Sequence, residues 1–231
     1  MEILDLSGRI ARVTGGNRGI GLEFAKQLSK KDWDIYVGCR EPKKADKLKK
    51  IIPEDNIILL DVKLEDSIRA AVHVLKTKLE RLDLIINNAG IIGNRAGLSK
   101  VEIDDYIETF MTNTIGPLFV TKYCLPLLGK DSTVVNISSL MGSIDDTSGG
   151  SYSYRISKAA LNMVTKNLQE DLKGRGISVV SFHPGWVRTR MGTPVAPVST
   201  KRSVSGMLKV LETEKNINGK FINFKGEELP W

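Results

Sequence analysis

The chain has 231 residues, of which 41% are hydrophobic and 26% are charged, as is usual for a folded globular protein. Lys and Arg number 34 against 27 Asp and Glu, which gives a formal net charge of +7. Only 6% of the residues are aromatic and no recognisable nucleic-acid-binding motif is present, so we expect no nucleic-acid partner. The two cysteines, Cys39 and Cys124, are far apart and form no CxxC pair, which argues against a metal site or a disulfide framework.

Much of the positive charge is concentrated in residues 40–50, which contain five lysines. Two interpretations are open: a solvated helix face, or a positive field that attracts an anionic ligand. Residues 1–9 contain no long apolar region, so we expect no signal peptide. No run of 18 apolar residues predicts a membrane span, and we therefore expect a cytoplasmic protein with no membrane partner.

Short apolar runs alternate with amphipathic stretches along the whole chain. The runs predict strands at residues 10–14, 34–39, 56–60, 84–87, 133–138, 178–182 and 220–223. The amphipathic stretches predict helices near residues 20–30, 43–50, 64–79, 101–128 and 153–174. This alternation is typical of an α/β protein with helices on both faces of a parallel sheet. No linker or repeat interrupts it, so we predict one domain over residues 1–231, built on a doubly wound sheet of about seven strands.

Two features do not fit this plan. Arg12 falls inside the first strand, which should be central and buried, where an unpaired charge is costly. The sequence offers no partner for it. Residues 192–205 are rich in Pro, Ser and Thr and have no helical stripe before Val204, so we predict a mobile surface segment there.

A glycine-rich turn follows the first strand, with Gly15, Gly19 and Gly21 in the spacing Gly-x3-Gly-x-Gly. Glycines let the backbone approach a ligand closely, and the N-terminus of the next helix offers free N–H groups to a phosphate. A plain strand-to-helix turn is the alternative interpretation, because one glycine-rich turn is weak evidence by itself.

The second predicted strand is followed by Arg40, nineteen residues after Gly21. In dinucleotide-binding folds an acid about there binds the ribose 2′-hydroxyl of NAD, whereas an Arg accommodates the 2′-phosphate of NADP. Arg18 in the glycine turn could join Arg40 in binding that phosphate. We therefore predict a preference for NADP(H). NAD(H) stays possible because Glu41 is adjacent, and two ordinary surface arginines are the simpler alternative.

Of the five tyrosines, only Tyr154 has a lysine four residues later, Lys158. Residues at i and i+4 share a helix face, and a neighbouring ammonium should lower the pKa of a tyrosine. The pair could then act as an acid or base near neutral pH. A YxxxK pair on a protein surface is the alternative, and it is common.

Polar residues at strand ends support the catalytic interpretation. Ser138 and Ser139 close an apolar strand about fifteen residues before Tyr154, and parallel α/β sheets bind ligands at the carboxyl ends of their strands. Residues 87–90, Asn-Asn-Ala-Gly, close another strand. Asn113 lies inside a helical pattern, where an amide side chain is disfavoured unless it has a function.

Together these motifs resemble the short-chain dehydrogenase/reductase family in order and spacing, over nearly the whole chain. The matching positions are residues 14–21, 87–90, Asn113, Ser138 and Ser139, residues 154–158 and Pro184-Gly185. A closer likeness to the C-factor and Sniffer-like carbonyl reductases rests on residues 140–144, 152–162, 183–189 and 219–231. The resemblance implies a Rossmann-type fold, hydride transfer between NADP(H) and a small carbonyl or alcohol, no metal, and a homodimer or homotetramer.

The resemblance also implies site residues. Its catalytic tetrad falls on Asn113, Ser139, Tyr154 and Lys158: a water held by Asn113, a substrate oxygen bound by Ser139, a proton moved by Tyr154, and a ribose bound by Lys158. The longer loop at residues 145–150 leaves the choice between Ser138 and Ser139 open. The implied cofactor-binding residues are Gly15, Asn17, Arg18, Gly19, Ile20, Arg40, Asp61, Val62, Asn88, Ala89, Gly90, Tyr154, Lys158, Pro184, Gly185 and Val187.

A second function stays open. The C-factor relatives are linked to intercellular signalling, so the chain could bind NADP(H) as a regulatory protein with little turnover. An intact tetrad favours the enzyme. His183 has no triad context and is interpreted as structural, whereas Trp186 could contact substrate or serve in packing.

Overall fold

The computed structural model describes residues 8–95, 97–214 and 216–231. Seven parallel strands form one sheet in the order β3-β2-β1-β4-β5-β6-β7. The strands are β1 Ile10–Thr14, β2 Asp34–Cys39, β3 Ile57–Leu59, β4 Leu82–Asn87, β5 Leu128–Ile137, β6 Ser178–His183 and β7 Phe221–Asn223. The α-helices are α1 Gly19–Ser29, α2 Asp46–Lys49, α3 Glu65–Lys78, α4 Ile103–Phe110, α5 Gly116–Cys124, α6 Tyr152–Leu172 and α7 Thr200–Thr213. The predicted doubly wound parallel sheet is confirmed.

The strand order creates a switch point between β1 and β4. The chain builds outward from β1 to β3, then returns to the centre and continues outward from β4 to β7. Connections on the two sides of this point diverge, which leaves a crevice at the carboxyl ends of the strands. The sequence motifs at residues 14–21 and 87–90 follow the two strands that flank it.

Two apolar clusters fill the two faces of the sheet. One packs α1, α2 and α7 against the sheet and includes Phe24, Leu48 and Met207. The other packs α3, α5 and α6 against the opposite face and includes Leu75 and Val120. Strands covered on both faces explain the continuous apolar runs in the sequence.

Arg12 is buried in this interior, with 2% of its surface exposed. In the sheet it lies between Tyr36 of β2 and Ile85 of β4. Its Nη1 donates a hydrogen bond of 2.8 Å to Sγ of Cys124, on α5. The hydrogen-bond partner of Arg12 is therefore a cysteine 112 residues away in the chain.

The single helix predicted over residues 101–128 is wrong. The chain forms α4, a π-helical turn Met111–Ile115, α5 and a 3-10 turn Leu125–Leu127, and Leu128 already belongs to β5. Pro126 has no amide N–H to donate to a helical hydrogen bond, and this explains why α5 ends before it. The helix predicted near residues 43–50 is likewise a 3-10 turn, Pro42–Lys44, followed by the short α2.

Helix α7 was not among the helices predicted from the sequence, and its first residues lie within the segment 192–205. Oγ of Ser199 accepts a hydrogen bond of 3.1 Å from the backbone N–H of Arg202 and so caps α7, which begins at Thr200. In the preceding stretch Ala196 and Val198 are buried. The mobility of residues 192–205 stays a prediction.

Within the described residues, no helix is both long and apolar enough to cross a membrane.

Candidate active site

A cleft of about 1030 Å³ opens at the carboxyl ends of the central strands. Most of the site residues named from the sequence contribute to its wall. These are Gly15, Asn17, Arg18, Gly19, Ile20, Arg40, Asp61, Val62, Asn88, Ala89, Gly90, Tyr154, Lys158 and Pro184.

The glycine turn is held against the end of β4. Gly15 has a φ of +64°, and a Cβ there would lie 2.9 Å from Cα of Ala89. Oγ1 of Thr14 accepts hydrogen bonds of 3.0 Å from the backbone N–H groups of Asn88 and Ala89. Arg18 occupies the N-cap of α1 and makes no side-chain capping bond. The first N–H groups of this helix are therefore available to an anion.

Two exposed arginines, Arg18 and Arg40, stand at this end of the cleft. The nearby carboxylate of Glu41 is paired with Lys44. The hydrogen bond from that ammonium, together with its charge, lowers the pKa of Glu41. The acid that kept NAD(H) possible is thus engaged by a lysine. Deeper in the cleft, Oδ1 of Asp61 accepts a hydrogen bond of 3.0 Å from the backbone of Lys63.

Tyr154 and Lys158 lie at the other end of the cleft, on the first turns of α6. Only 8% of Tyr154 and 4% of Lys158 is exposed. Nζ of Lys158 lies 5.8 Å from the centroid of the Tyr154 ring and donates a hydrogen bond of 2.7 Å to the carbonyl of Ile137. The shared face predicted from the i and i+4 spacing is present.

The pKa of Tyr154, however, moves opposite to the expectation from its sequence. Burial raises it, and a hydrogen bond with Ser139 and the charge of Arg95 only partly oppose this rise. Burial also lowers the pKa of Lys158 to about 7. Both groups lose water, and burial disfavours the charged form of each. The expectation that the lysine lowers the tyrosine pKa is wrong for the protein without ligands.

The two serines have different partners. Oγ of Ser138 donates a hydrogen bond of 2.7 Å to Oδ1 of Asn162, on α6. Oγ of Ser139 accepts a bond of 3.2 Å from the backbone N–H of Met141, and the same side chain lowers the pKa of Tyr154. Ser138 contributes to the cleft wall, but its hydroxyl is committed to α6, whereas Ser139 lies outside the cleft lining and acts on the Tyr154 phenol.

Asn113 lies behind Lys158, in the π-helical turn between α4 and α5. Its side chain donates to the carbonyl of Ile91 at 2.8 Å and to Oγ of Ser157 at 3.0 Å, and it accepts from the Ile91 N–H at 2.9 Å. A Cβ at Gly90 would lie 3.1 Å from Oδ1 of Asn113. Asn113 therefore joins the loop after β4 to α6 without forming part of the cleft wall.

Two predicted cofactor residues lie behind the wall. Gly185 has a φ of +83°, and a Cβ there would approach the ring of Phe224 to 2.9 Å. Val187 is buried and forms a parallel bridge with Val198. Pro184 lines the cleft; the roles of Gly185 and Val187 stay predictions.

Several wall residues were missed in the sequence. They include Lys26, Lys47, Ile91, Ile137, Arg188, Thr189, Arg190 and Met191. Thr189 faces the glycine turn, because a Cβ at Gly19 would lie 3.5 Å from its methyl group. The motif at residues 183–189 ends on this threonine and could have identified it. Lys26 and Lys47 could not be identified as wall residues, because nothing in the sequence except their charge distinguishes them.

The chain is similar to known proteins over most of its length. The NADPH-bound carbonyl reductase from chicken fatty liver is 36% identical, covers 98% of this chain and 100% of its own, and superposes with a TM-score of 0.90. Carbonyl reductase Sniffer of D. melanogaster is 33% identical over 97% of this chain and 100% of its own, also with a TM-score of 0.90. C-signal of Myxococcus xanthus is 43% identical over 154 residues, 65% of this chain and 93% of its own length. The family model for short chain dehydrogenases matches residues 9–200, and the chain belongs to this family of oxidoreductases.

Proposed function

We propose that the protein is an NADP(H)-dependent carbonyl reductase, able to oxidise the corresponding alcohol in reverse, with Asn113, Ser139, Tyr154 and Lys158 as its catalytic tetrad. One observation carries the proposal. Tyr154 is buried beside Lys158, with Ser139 close enough to lower its pKa, in a cleft that also contains the glycine turn.

The residues along the cleft fit a dinucleotide. Gly15 leaves room where a side chain would collide with Ala89, and the N-terminus of α1 would bind the pyrophosphate. Arg18 and Arg40 would bind the 2′-phosphate, while Lys158 would bind the nicotinamide ribose. Bound there, the cofactor supplies the hydride, and the protein orients and polarises the reactants.

In the reducing direction, Ser139 donates a hydrogen bond to the carbonyl oxygen of the substrate and Tyr154 donates its proton to it. The phenolate left on Tyr154 is stabilised by the ammonium form of Lys158 and by the Ser139 hydroxyl. Asn113 fixes the backbone behind Lys158, and by family likeness it holds the water through which the proton is replaced. A pKa of about 7 gives Lys158 access to both charge states near neutral pH.

The cofactor assignment has two supports. Two arginines stand at the end of the cleft where the ribose phosphate would lie, and Glu41, the acid next to Arg40 in the chain, is paired with Lys44. The chicken enzyme is described as NADPH-bound, and a Burkholderia multivorans relative of the same fold, 27% identical, is described with bound NADP.

The test is NADPH oxidation with a panel of aldehydes, ketones and quinones. We expect Tyr154→Phe to lower turnover by about 10²–10⁴-fold, as removal of a general acid does, with NADPH affinity nearly unchanged. Tyr123→Phe is the matched control, since it removes a hydroxyl that is bonded to Glu65. Near-normal turnover by Tyr154→Phe would remove the basis of the proposal.

A signalling protein is the second candidate, and the 43% identity to C-signal favours it. It predicts that NADPH binds with no turnover of any carbonyl in the panel, and that Tyr154→Phe leaves function intact. The buried Ser139–Tyr154–Lys158 arrangement supports the reductase instead, because binding alone does not require a proton donor.

A further inference from the structure

Trp231 contacts the segment that follows the candidate catalytic serine. Its backbone oxygen accepts hydrogen bonds from Ile144 N–H at 2.8 Å, from Asp145 N–H at 3.3 Å and from Oγ of Ser143 at 3.1 Å. A single backbone oxygen thus accepts from donors on three consecutive residues. None of the cleft or tetrad contacts described above uses Trp231.

The segment it contacts continues the 3-10 turn Leu140–Gly142, which touches both ends of the candidate proton path. Ser139 is the N-cap of the turn, because its Oγ accepts from Met141 N–H. At the other end, a Cβ on Gly142 would lie 2.7 Å from the backbone of Lys158. Displacement of this turn would therefore move Ser139 relative to Lys158.

His183 supports the same turn from the sheet. Its Nδ1 accepts a hydrogen bond of 3.1 Å from Leu140 N–H. Burial lowers the pKa of His183 to about 4, so the ring is neutral and can accept at neutral pH. The turn is thus held at its first residue by β6 and beyond its last residue by Trp231.

Trp231 is itself anchored through its side chain. Its ring packs on Phe221 of β7, with centroids 5.6 Å apart, and Nζ of Lys166 lies 5.6 Å from the ring centroid. The backbone N–H of Leu229 donates a hydrogen bond of 2.8 Å to the Phe221 carbonyl. The indole therefore fixes the position of the Trp231 backbone oxygen against the edge of the sheet.

We propose that Trp231 is a positioning residue for the proposed reduction: its anchored backbone oxygen holds the turn after Ser139, so that the serine side chain stays close to Tyr154. This rests on the proposed function, in which Ser139 binds the substrate oxygen. If Trp231 only stabilised the fold, its substitution would not selectively lower kcat/KM for the carbonyl substrate.

The first test combines kinetics with a double-mutant cycle. We expect Trp231→Ala to lower kcat/KM for the carbonyl about tenfold, the equivalent of one well-formed hydrogen bond, with NADPH affinity within about twofold of wild type. Trp231→Phe keeps an aromatic anchor and should restore most of the activity. In a Ser139→Ala background, Trp231→Ala should lower kcat/KM by less than about twofold further, because the two residues act through one contact.

Trp33→Ala is the matched control, since this partly buried indole packs on the core beside α1 and is absent from the cleft wall. It should lower stability without lowering kcat/KM. Full additivity of Trp231→Ala and Ser139→Ala would overturn the proposal, as would equal kinetic losses in Trp33→Ala at matched stability. If Trp231→Ala does not fold, Ser143→Ala removes one donor to the same backbone oxygen and takes its place in the cycle.

Hydrogen exchange separates this proposal from the proposed function. Trp231→Ala should speed amide exchange in residues 140–146 and leave residues 86–91 unchanged, whether or not a carbonyl substrate has been found. Unchanged exchange at 140–146 would overturn the positioning role while leaving the reductase assignment standing. Lack of turnover by wild type with normal NADPH binding would instead remove the proposed function.

Discussion

Tyr154 and Lys158 are nearly inaccessible to water, and this burial dominates their titration. An unfolded lysine has a pKa near 10.4, whereas that of Lys158 in the folded protein is about 7. Between these two values the unfolded chain binds one more proton than the folded chain, so stability rises with pH across this window. Below pH 7 both states are protonated, and the folded protein bears the full cost of a buried ammonium.

We therefore expect Lys158→Met to stabilise the protein without ligands at pH 6 while it abolishes turnover. At pH 6 the free energy of unfolding should be higher than that of wild type by roughly 2 kcal/mol or more. The rise in stability that wild type shows between pH 7 and 10 should be smaller in the variant. Denaturant unfolding at several pH values measures both effects. Lys122→Met, an exposed change on α5, is the control. A loss of stability at pH 6 would mean that the bond to Ile137 outweighs the burial cost.

Arg40 is the residue on which cofactor choice should depend. A charge-assisted hydrogen bond contributes about 1.5–3 kcal/mol, and solvent exposure should bring this toward the lower value. We expect wild type to bind NADPH at least about tenfold more tightly than NADH, and Arg40→Asp to erase or reverse the preference.

Lys50→Asp is the matched control for Arg40→Asp. It removes the same charge from the same basic segment, but Lys50 does not contribute to the cleft wall. Its effect should be small and should disappear at high salt, because it acts only at long range. Equal affinity of wild type for both cofactors, measured by titration, would contradict the role of Arg40.

At the residue scale, what could be predicted was local. The Tyr154–Lys158 pair follows from helix spacing alone, and both residues do line the cleft. The sign of the tyrosine pKa shift could not be predicted, because it depends on burial that the whole fold creates. The different partners of Ser138 and Ser139 likewise depend on side-chain directions that adjacent sequence positions do not reveal.

At the scale of elements, the strands were predicted well and the helices less so. Strands buried on both faces leave continuous apolar runs, which are easy to recognise. Residues 101–128 have the sequence pattern of one amphipathic helix, because the π-helical turn Met111–Ile115 changes the backbone geometry without changing the spacing of the apolar residues. Helix α7 begins among Ser, Thr and Lys residues, so its start is marked by the Ser199 cap rather than by an apolar stripe.

The glycine turn provides a test at this scale. Gly15 and Gly8 both have positive φ, +64° and +71°, so an alanine at either should cost about 1–2 kcal/mol in backbone strain. Only at Gly15 would the new Cβ also meet a neighbour, Cα of Ala89 at 2.9 Å; at Gly8 nothing lies within 4 Å. We expect both variants to lose similar backbone stability, with a further loss of at least about tenfold in NADPH affinity for Gly15→Ala alone.

Calorimetric binding measurements on the two glycine variants would check this expectation. Gly8→Ala should bind NADPH like wild type after correction for any unfolded fraction. If Gly15→Ala binds NADPH with wild-type affinity, then the turn can accommodate a Cβ beside Ala89 and the assigned close approach of the turn to the cofactor is wrong.

At the scale of the whole molecule, sequence patterns determine the layers but not the contacts between distant elements. The seven-stranded parallel sheet was predicted because each strand and most helices have a recognisable pattern in their own residues. The pairing of Arg12 with Cys124 was not, because it joins β1 to α5 across the interior. The same holds for Trp231, whose likeness to relatives was visible in residues 219–231 but whose contact with residues 143–145 was not.

Helices α4 and α6 carry exposed apolar side chains. Ile103 and Ile107 on α4 are 75% and 56% exposed, and Met163 on α6 is 60% exposed. These two helices pack against each other, so the three side chains leave apolar surface on neighbouring elements. Together with the family likeness, this supports a homodimer or homotetramer that buries the α4 and α6 faces. Ile107→Glu should convert the assembly to a monomer, because a carboxylate cannot be buried there without a partner.

Light scattering after size-exclusion chromatography measures the mass of each variant directly. Val74→Glu is the matched control, since it places the same charge at an exposed apolar position on α3, and it should leave the assembly unchanged. The Ile107→Glu monomer should still bind NADPH, because none of the three apolar residues contributes to the cleft wall. A monomeric wild type at micromolar concentration would contradict the expectation. An oligomer that survives Ile107→Glu together with Met163→Glu would place the interface on another face.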